Sequence, residues 1–77
     1  MDVIPLSFLR TGEVALVSQL MGQRELVQRL EELGLREGAE VTMLETGSPC
    51  IIRLGAQKLC FRADELATVM VRPGAGL

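Results

Sequence analysis

LVQRLEELGLREGAEVTML, residues Leu26 to Leu44, changes its period in the middle. As far as Leu33 the apolar residues Leu26, Val27, Leu30 and Leu33 fall at i, i+1, i+4 and i+7, one arc of a helix, while Arg24, Gln28, Glu31 and Glu32 fall on the other. After Gly38 the pattern is that of a strand, with Val41 and Met43 on one face. Gly34 and Gly38 occupy the joint. A glycine just beyond the last periodic residue suits the left-handed conformation that ends helices, because it has no Cβ to be penalised there. Leu35 can then fold back onto the apolar end of the helix, and Arg36-Glu37-Gly38 makes a second turn. The stretch predicts an amphipathic helix over residues 23–33, stopped at Gly34 and joined at once to a strand over residues 39–46.

On the N-terminal side, Leu6 to Leu9 reads as a brief entry turn ending at Thr11-Gly12, and Glu13 to Leu20 as a loosely alternating strand closed by Met21-Gly22. On the C-terminal side, Gly47-Ser48-Pro49 is a loop, and Cys50–Leu54 and Gln57–Arg62 form a hairpin about Gly55-Ala56. With a two-residue turn, Leu54 faces Gln57, Ile52 faces Leu59 and Cys50 faces Phe61, so Cys50, Ile52, Leu54, Leu59 and Phe61 share the inward face while Ile51 and Cys60 point outward. Ala63 to Leu66 suits one helical turn, and Thr68 to Arg72 a last strand with Val69 and Val71 alternating with Met70. Residues 1–72 are expected to form the domain and Pro73 to Leu77 a disordered tail.

Composition narrows the function. A chain of 77 residues is one domain, and at this size it buries only about 60% of its extended surface. A net charge of −2 with no Trp or Tyr gives neither a basic field for phosphates nor platforms for bases, which excludes generic nucleic-acid binding. No apolar run approaches a membrane span, and the N-terminus lacks a basic start followed by a long apolar block, so a soluble cytoplasmic protein is expected.

The two cysteines are the only soft ligands and there is no histidine. In the register above they lie on opposite faces, which excludes a disulfide; a three-residue turn would bring them to one face. Glu31-Glu32 and Asp64-Glu65 read as solvated surface. With no P-loop, no histidine base and no activated nucleophile, neither catalysis nor a bound cofactor or metal is expected. About five short strands and one amphipathic helix, inserted after the first of them, predict a mainly β, small SH3-like barrel that hides its edges, with the helix plugging one end. The scarcity of aromatics argues against a polyproline groove.

The order L-S-x-L-x-x-G (Leu6 to Gly12), a Val/Leu strand ending at Met21-Gly22, R-L-x-x-L-G-L-x-x-G (Arg29 to Gly38), a Gly-Ser-Pro-containing hairpin and R-x-x-E-L-x-x-V-x-V (Arg62 to Val71) resembles the FeoA family of small ferrous iron transport proteins. Glu37 stands where that family often has proline before the glycine, which leaves the turn less rigid, and Phe61 where an aliphatic residue is usual. The resemblance implies a cytoplasmic accessory of bacterial ferrous iron uptake, recruited to the inner face of the membrane by contact with the G domain of the FeoB transporter. The alternative it leaves is a stand-alone, metal-responsive or self-associating regulatory domain, related to the C-terminal SH3-like part of DtxR-type repressors. Met21 and Leu35, beside the ends of the helix and flanked by Arg24 and Arg36, have the composition of a partner-contact patch; the competing reading is that both simply cap the barrel core.

Overall fold

The computed structural model describes residues 2–74. The sequence dictates its central feature at the end of the helix. Helix α1 spans Arg24–Glu32, and Leu33, still right-handed, follows as its last partly helical residue. Gly34 then takes φ +110°, its N–H donates to the Glu31 carbonyl at 3.0 Å, and the Leu35 N–H donates to the Leu30 carbonyl at 3.0 Å. This is the paired closure of a Schellman motif, which satisfies carbonyls that the helix end would leave without partners. Leu30 and Leu35 are both fully buried, the hydrophobic contact that accompanies the motif. Leu33, expected on the buried arc, is 40% exposed instead. The chain reverses immediately after it, so Leu35 takes the core position.

From Gly34 the chain needs only a few residues to become sheet. The Ala39 N–H donates to the Arg36 carbonyl at 2.9 Å, and Gly38, at φ +88°, donates to the Val17 carbonyl at 2.8 Å. Six antiparallel strands result: β1 (Ile4–Pro5), β2 (Val14–Leu20), β3 (Glu40–Glu45), β4 (Cys50–Leu54), β5 (Gln57–Phe61) and β6 (Val69–Pro73), in the spatial order β1-β6-β2-β3-β4-β5. A single 3-10 turn (Leu6–Phe8) follows β1, and α2 (Ala63–Leu66) precedes β6.

The extra strand is β1, which pairs Ile4 with Val71 and Pro5 with Met70. Two residues, one of them proline, carry no readable period, and α1 accordingly follows the second strand, not the first. The last strand also runs further than expected: Pro73 belongs to β6, and the Gly74 N–H donates to the Val14 carbonyl at 2.8 Å. The remainder of the expected tail, residues 75–77, lies outside the described residues.

Inward side chains from every strand except β1, with Leu6, Leu9, Leu30, Leu35 and Leu66, form one core. Val69 and Val71 beside one end of the strand order and Phe61 at the other belong to the same cluster, so the sheet curls on itself into an SH3-like barrel. The hairpin has the expected register, with Cys50 opposite Phe61, Ile52 opposite Leu59 and Leu54 opposite Gln57. The loose alternation of β2 has a cause. A bulge at Ser18 shifts the pairing with β6 between Val17 and Gln19, so that Ala15, Val17 and then Leu20, at odd and even positions, all reach the core side.

Helices α1 and α2 are tied by an ion pair between Arg29 and Glu65. The other Glu65 oxygen accepts the Arg62 backbone N–H at 3.0 Å at the start of α2. That hydrogen bond is the main cause holding the Glu65 carboxyl below its ordinary value of 4.5; partial burial opposes it and the Arg29 guanidinium adds to the lowering.

Two predictions follow from these contacts. A Cβ on Gly34 would lie 2.8 Å from Leu54 Cδ2, whereas one on Gly38 would meet nothing within 4 Å. Both Gly34→Ala and Gly38→Ala impose a positive φ on alanine, at about 1–2 kcal/mol each, so denaturant unfolding should show Gly34→Ala as the more damaging; equal losses would mean that Leu54 yields without cost. Because Glu65 titrates lower in the folded than in the unfolded chain, its stabilisation is complete above the ordinary carboxylate value and is lost as pH falls through the lowered folded one. The Tm gap between the natural protein and Glu65→Gln should therefore be largest near neutrality and close in acid.

Candidate functional site

The four residues expected at a contact patch do not form one unit. Leu35 is fully buried in the core and offers nothing to a partner: the Schellman closure that stops α1 also draws this side chain inward. The capping reading is the correct one for this residue. Met21 is 51% exposed, held by its backbone N–H to the Thr68 carbonyl at 2.7 Å while its side chain projects from the surface. Arg24 and Arg36 are both exposed, and the Arg36 Nε–H donates to the Glu31 carbonyl at 3.0 Å, near the helix C-terminus, where a cation is favoured.

Two shallow depressions on α1 connect the arginines. One is lined by Arg24, Val27, Gln28 and Glu31, the other by Gln28, Glu31, Glu32, Arg36 and Glu37. Gln28 and Glu31 belong to both, so Arg24 and Arg36 bracket a mixed-charge stripe along the solvent side of the helix.

Phe8, which the sequence reading passed over as a turn residue, is the most exposed large apolar side chain among the described residues, at 69%. Its place in the fold relates it to Met21. Strand β1 ends at Pro5 opposite Met70, β6 begins at Val69, and β2 ends at Leu20 opposite Val69. The 3-10 turn carrying Phe8 and the residue Met21 thus leave the same end of three neighbouring strands. The signal was present in sequence: an aromatic residue next to Ser7 in an entry turn, in a chain with only two phenylalanines.

The cysteines are split as the hairpin register requires. Cys50 is buried, its thiol donating to the Gly47 carbonyl at 3.0 Å, and Cys60 is exposed opposite Ile51. Among the described residues no three Cys, Asp or Glu side chains come together in a way that could hold a metal ion. No helix among them is long and apolar enough to cross a membrane.

No curated protein matches the chain significantly in sequence. Among solved structures, the iron uptake regulatory protein FeoA is 32% identical over 95% of this chain and 99% of its own, with a TM-score of 0.87. FeoA of Stenotrophomonas maltophilia, determined with zinc and described as an SH3-domain protein, is 29% identical over 90% of this chain and 89% of its own, with a TM-score of 0.82. IdeR of T. acidophilum has a TM-score of 0.83 over 92% of this chain and 34% of its own, but at 14% identity it shares the fold alone. The FeoA domain model matches residues 4–73, spanning every strand and both helices described above, and the chain belongs to the FeoA domain family.

Proposed function

We propose that this protein is an accessory of bacterial ferrous iron uptake that works by binding and not by catalysis, docking on the G domain of a FeoB-type transporter at the cytoplasmic side of the membrane. The observation that carries the reading is the FeoA domain match over residues 4–73. It is supported by the 32% identical iron uptake regulatory protein, aligned along nearly its whole length. The S. maltophilia relative is described as a candidate ferrous iron transport activating factor, a role that requires something to activate.

For the docking surface we take Met21 and Phe8 as apolar contacts, with the charged stripe of α1 that Arg24 begins on the Met21 side and Arg36 ends at the helix C-terminus. Burying two exposed apolar side chains supplies the affinity, and the charges along the helix orient the partner. Leu35 has no part in this surface and belongs to the core.

Met21→Ser and Phe8→Ser should each weaken binding to a purified FeoB G domain by about 1–2 kcal/mol, while leaving Tm nearly unchanged. Leu35→Ala should behave oppositely, losing about 2–5 kcal/mol of stability. Titration calorimetry and thermal unfolding separate the two effects. Normal binding by both serine variants would move the docking surface elsewhere; no binding by the natural protein would defeat the transporter reading itself.

A further inference from the structure

Strand β5 ends the strand order, and its outer backbone groups can be assigned. The Met43 N–H donates to the Glu13 carbonyl and the Met43 carbonyl accepts the Gly12 N–H, so Met43 bonds toward the β2 side. By the alternation of an antiparallel ladder, Thr42 bonds to β4 at Arg53, its register partner. Arg53 is thereby committed to β3, and Lys58, opposite it on β5, is a non-hydrogen-bonded partner. The two-residue turn gives the same result, since Leu54 and Gln57 flanking it form the bonded pair. The N–H and C=O groups of Lys58 and Cys60 therefore point away from β4, along the free edge. The next outward donor, the Arg62 N–H, is already taken by Glu65.

The side chains above this edge are unbalanced. Arg53 and Lys58 sit directly across from one another, both exposed, an arrangement that is unfavourable for like charges. Among the described residues neither makes an ion pair; the acids nearest in register on the same face, Glu40 and Glu45 of β3, both lie diagonal to Arg53, and neither is within ion-pair distance of it. On the opposite face of β5, Leu59 is only half-buried. We infer that the β5 edge is a docking site for an extended segment of another protein that alternates acidic with apolar residues, taken up as an additional strand. Its carboxylates lie beside Lys58 and within reach of Arg53, its backbone bonds to Lys58 and Cys60, and its apolar residues cover Leu59.

A lysine on an edge strand guards against indiscriminate pairing, and here the same charge selects the partner. A second copy of this chain is a poor occupant, because β5 against β5 adds another Arg53 and Lys58 to the same face and supplies no acid. The inference is independent of the transporter reading, since it concerns a different surface and a ligand defined by chemistry alone.

The test uses the full chain, isotope-labelled, and a short blocked peptide alternating glutamate with valine. On titration the Lys58 and Cys60 amides should shift and become protected from exchange, and alkylation of the exposed Cys60 thiol by iodoacetamide should slow. The same peptide with lysine in place of glutamate should not bind. Lys58→Glu, which pairs Arg53 within the hairpin and leaves the ladder intact, should weaken binding of the acidic peptide at least about tenfold. Lys58→Pro removes an edge N–H but no ladder bond, and should abolish binding; if that variant unfolds, Lys58→Glu still decides. Absence of binding at millimolar peptide, equal binding by the lysine peptide or by Lys58→Glu, protection mapping to other strands, or a dimer of the natural protein through β5 would each overturn the inference.

Discussion

The hydrogen bond from the Leu35 N–H to the Leu30 carbonyl, made available by the positive φ of Gly34, fixes where helix α1 stops and where the barrel resumes. A helix of nine residues is not stable alone and has to be held by what it packs against. Here a single reversal provides both holds. Leu30 enters the core from the helix and Leu35 from the chain leaving it, so the closure buries two leucines at the seam. The helix direction then sets the other tie, since Arg29, one residue before Leu30, reaches Glu65 on α2. Glu65 in turn caps the turn that leads into β6, the strand lying between β1 and β2. Core, helix and the opposite end of the chain are coupled through a few residues.

The same constraint shapes the surface available to partners. Because the chain turns inward at Leu35, the helix C-terminus leaves Leu33 partly exposed, while the two most exposed large apolar side chains among the described residues, Phe8 and Met21, lie just beyond the ends of β1 and β2. The helix contributes its solvent stripe of alternating charge between Arg24 and Arg36. At the far side of the strand order, β5 ends the sheet with Lys58 and Cys60 unbonded at its edge, a feature that follows from the two-residue Gly55-Ala56 turn and the register it imposes. A small barrel of this kind has little interior to build a reactive cavity, and its chemistry lies in side chains and backbone groups displayed on its outside.

Much of this was legible in sequence because the decisive signals are local. The change of period at Gly34, the Gly55-Ala56 turn and the alternation of Val69 and Val71 each specify one element and its inward face, and the hairpin register followed from loop length alone. What escaped depended on distant partners. Strand β1 exists only because β6 offers Val71 and Met70 to Ile4 and Pro5; the phase change in β2 arises from a bulge against β6; the ion pair of Arg29 joins residues far apart in the chain. Leu33 was misjudged, and Leu35 was left between a contact patch and the core, for one reason: periodicity says which residues share an arc but not which one the reversal carries inward. Met21, with no such reversal, remained at the surface.

Amide hydrogen exchange at Leu35 tests the central claim most directly. If its bond to Leu30 joins helix and barrel as described, this amide should exchange only through global unfolding, with protection equal to that of core amides such as Val41 and Val71. Exchange of Leu35 through local fraying, well ahead of those strands, would show that the barrel stands without the helix closure and would contradict the account.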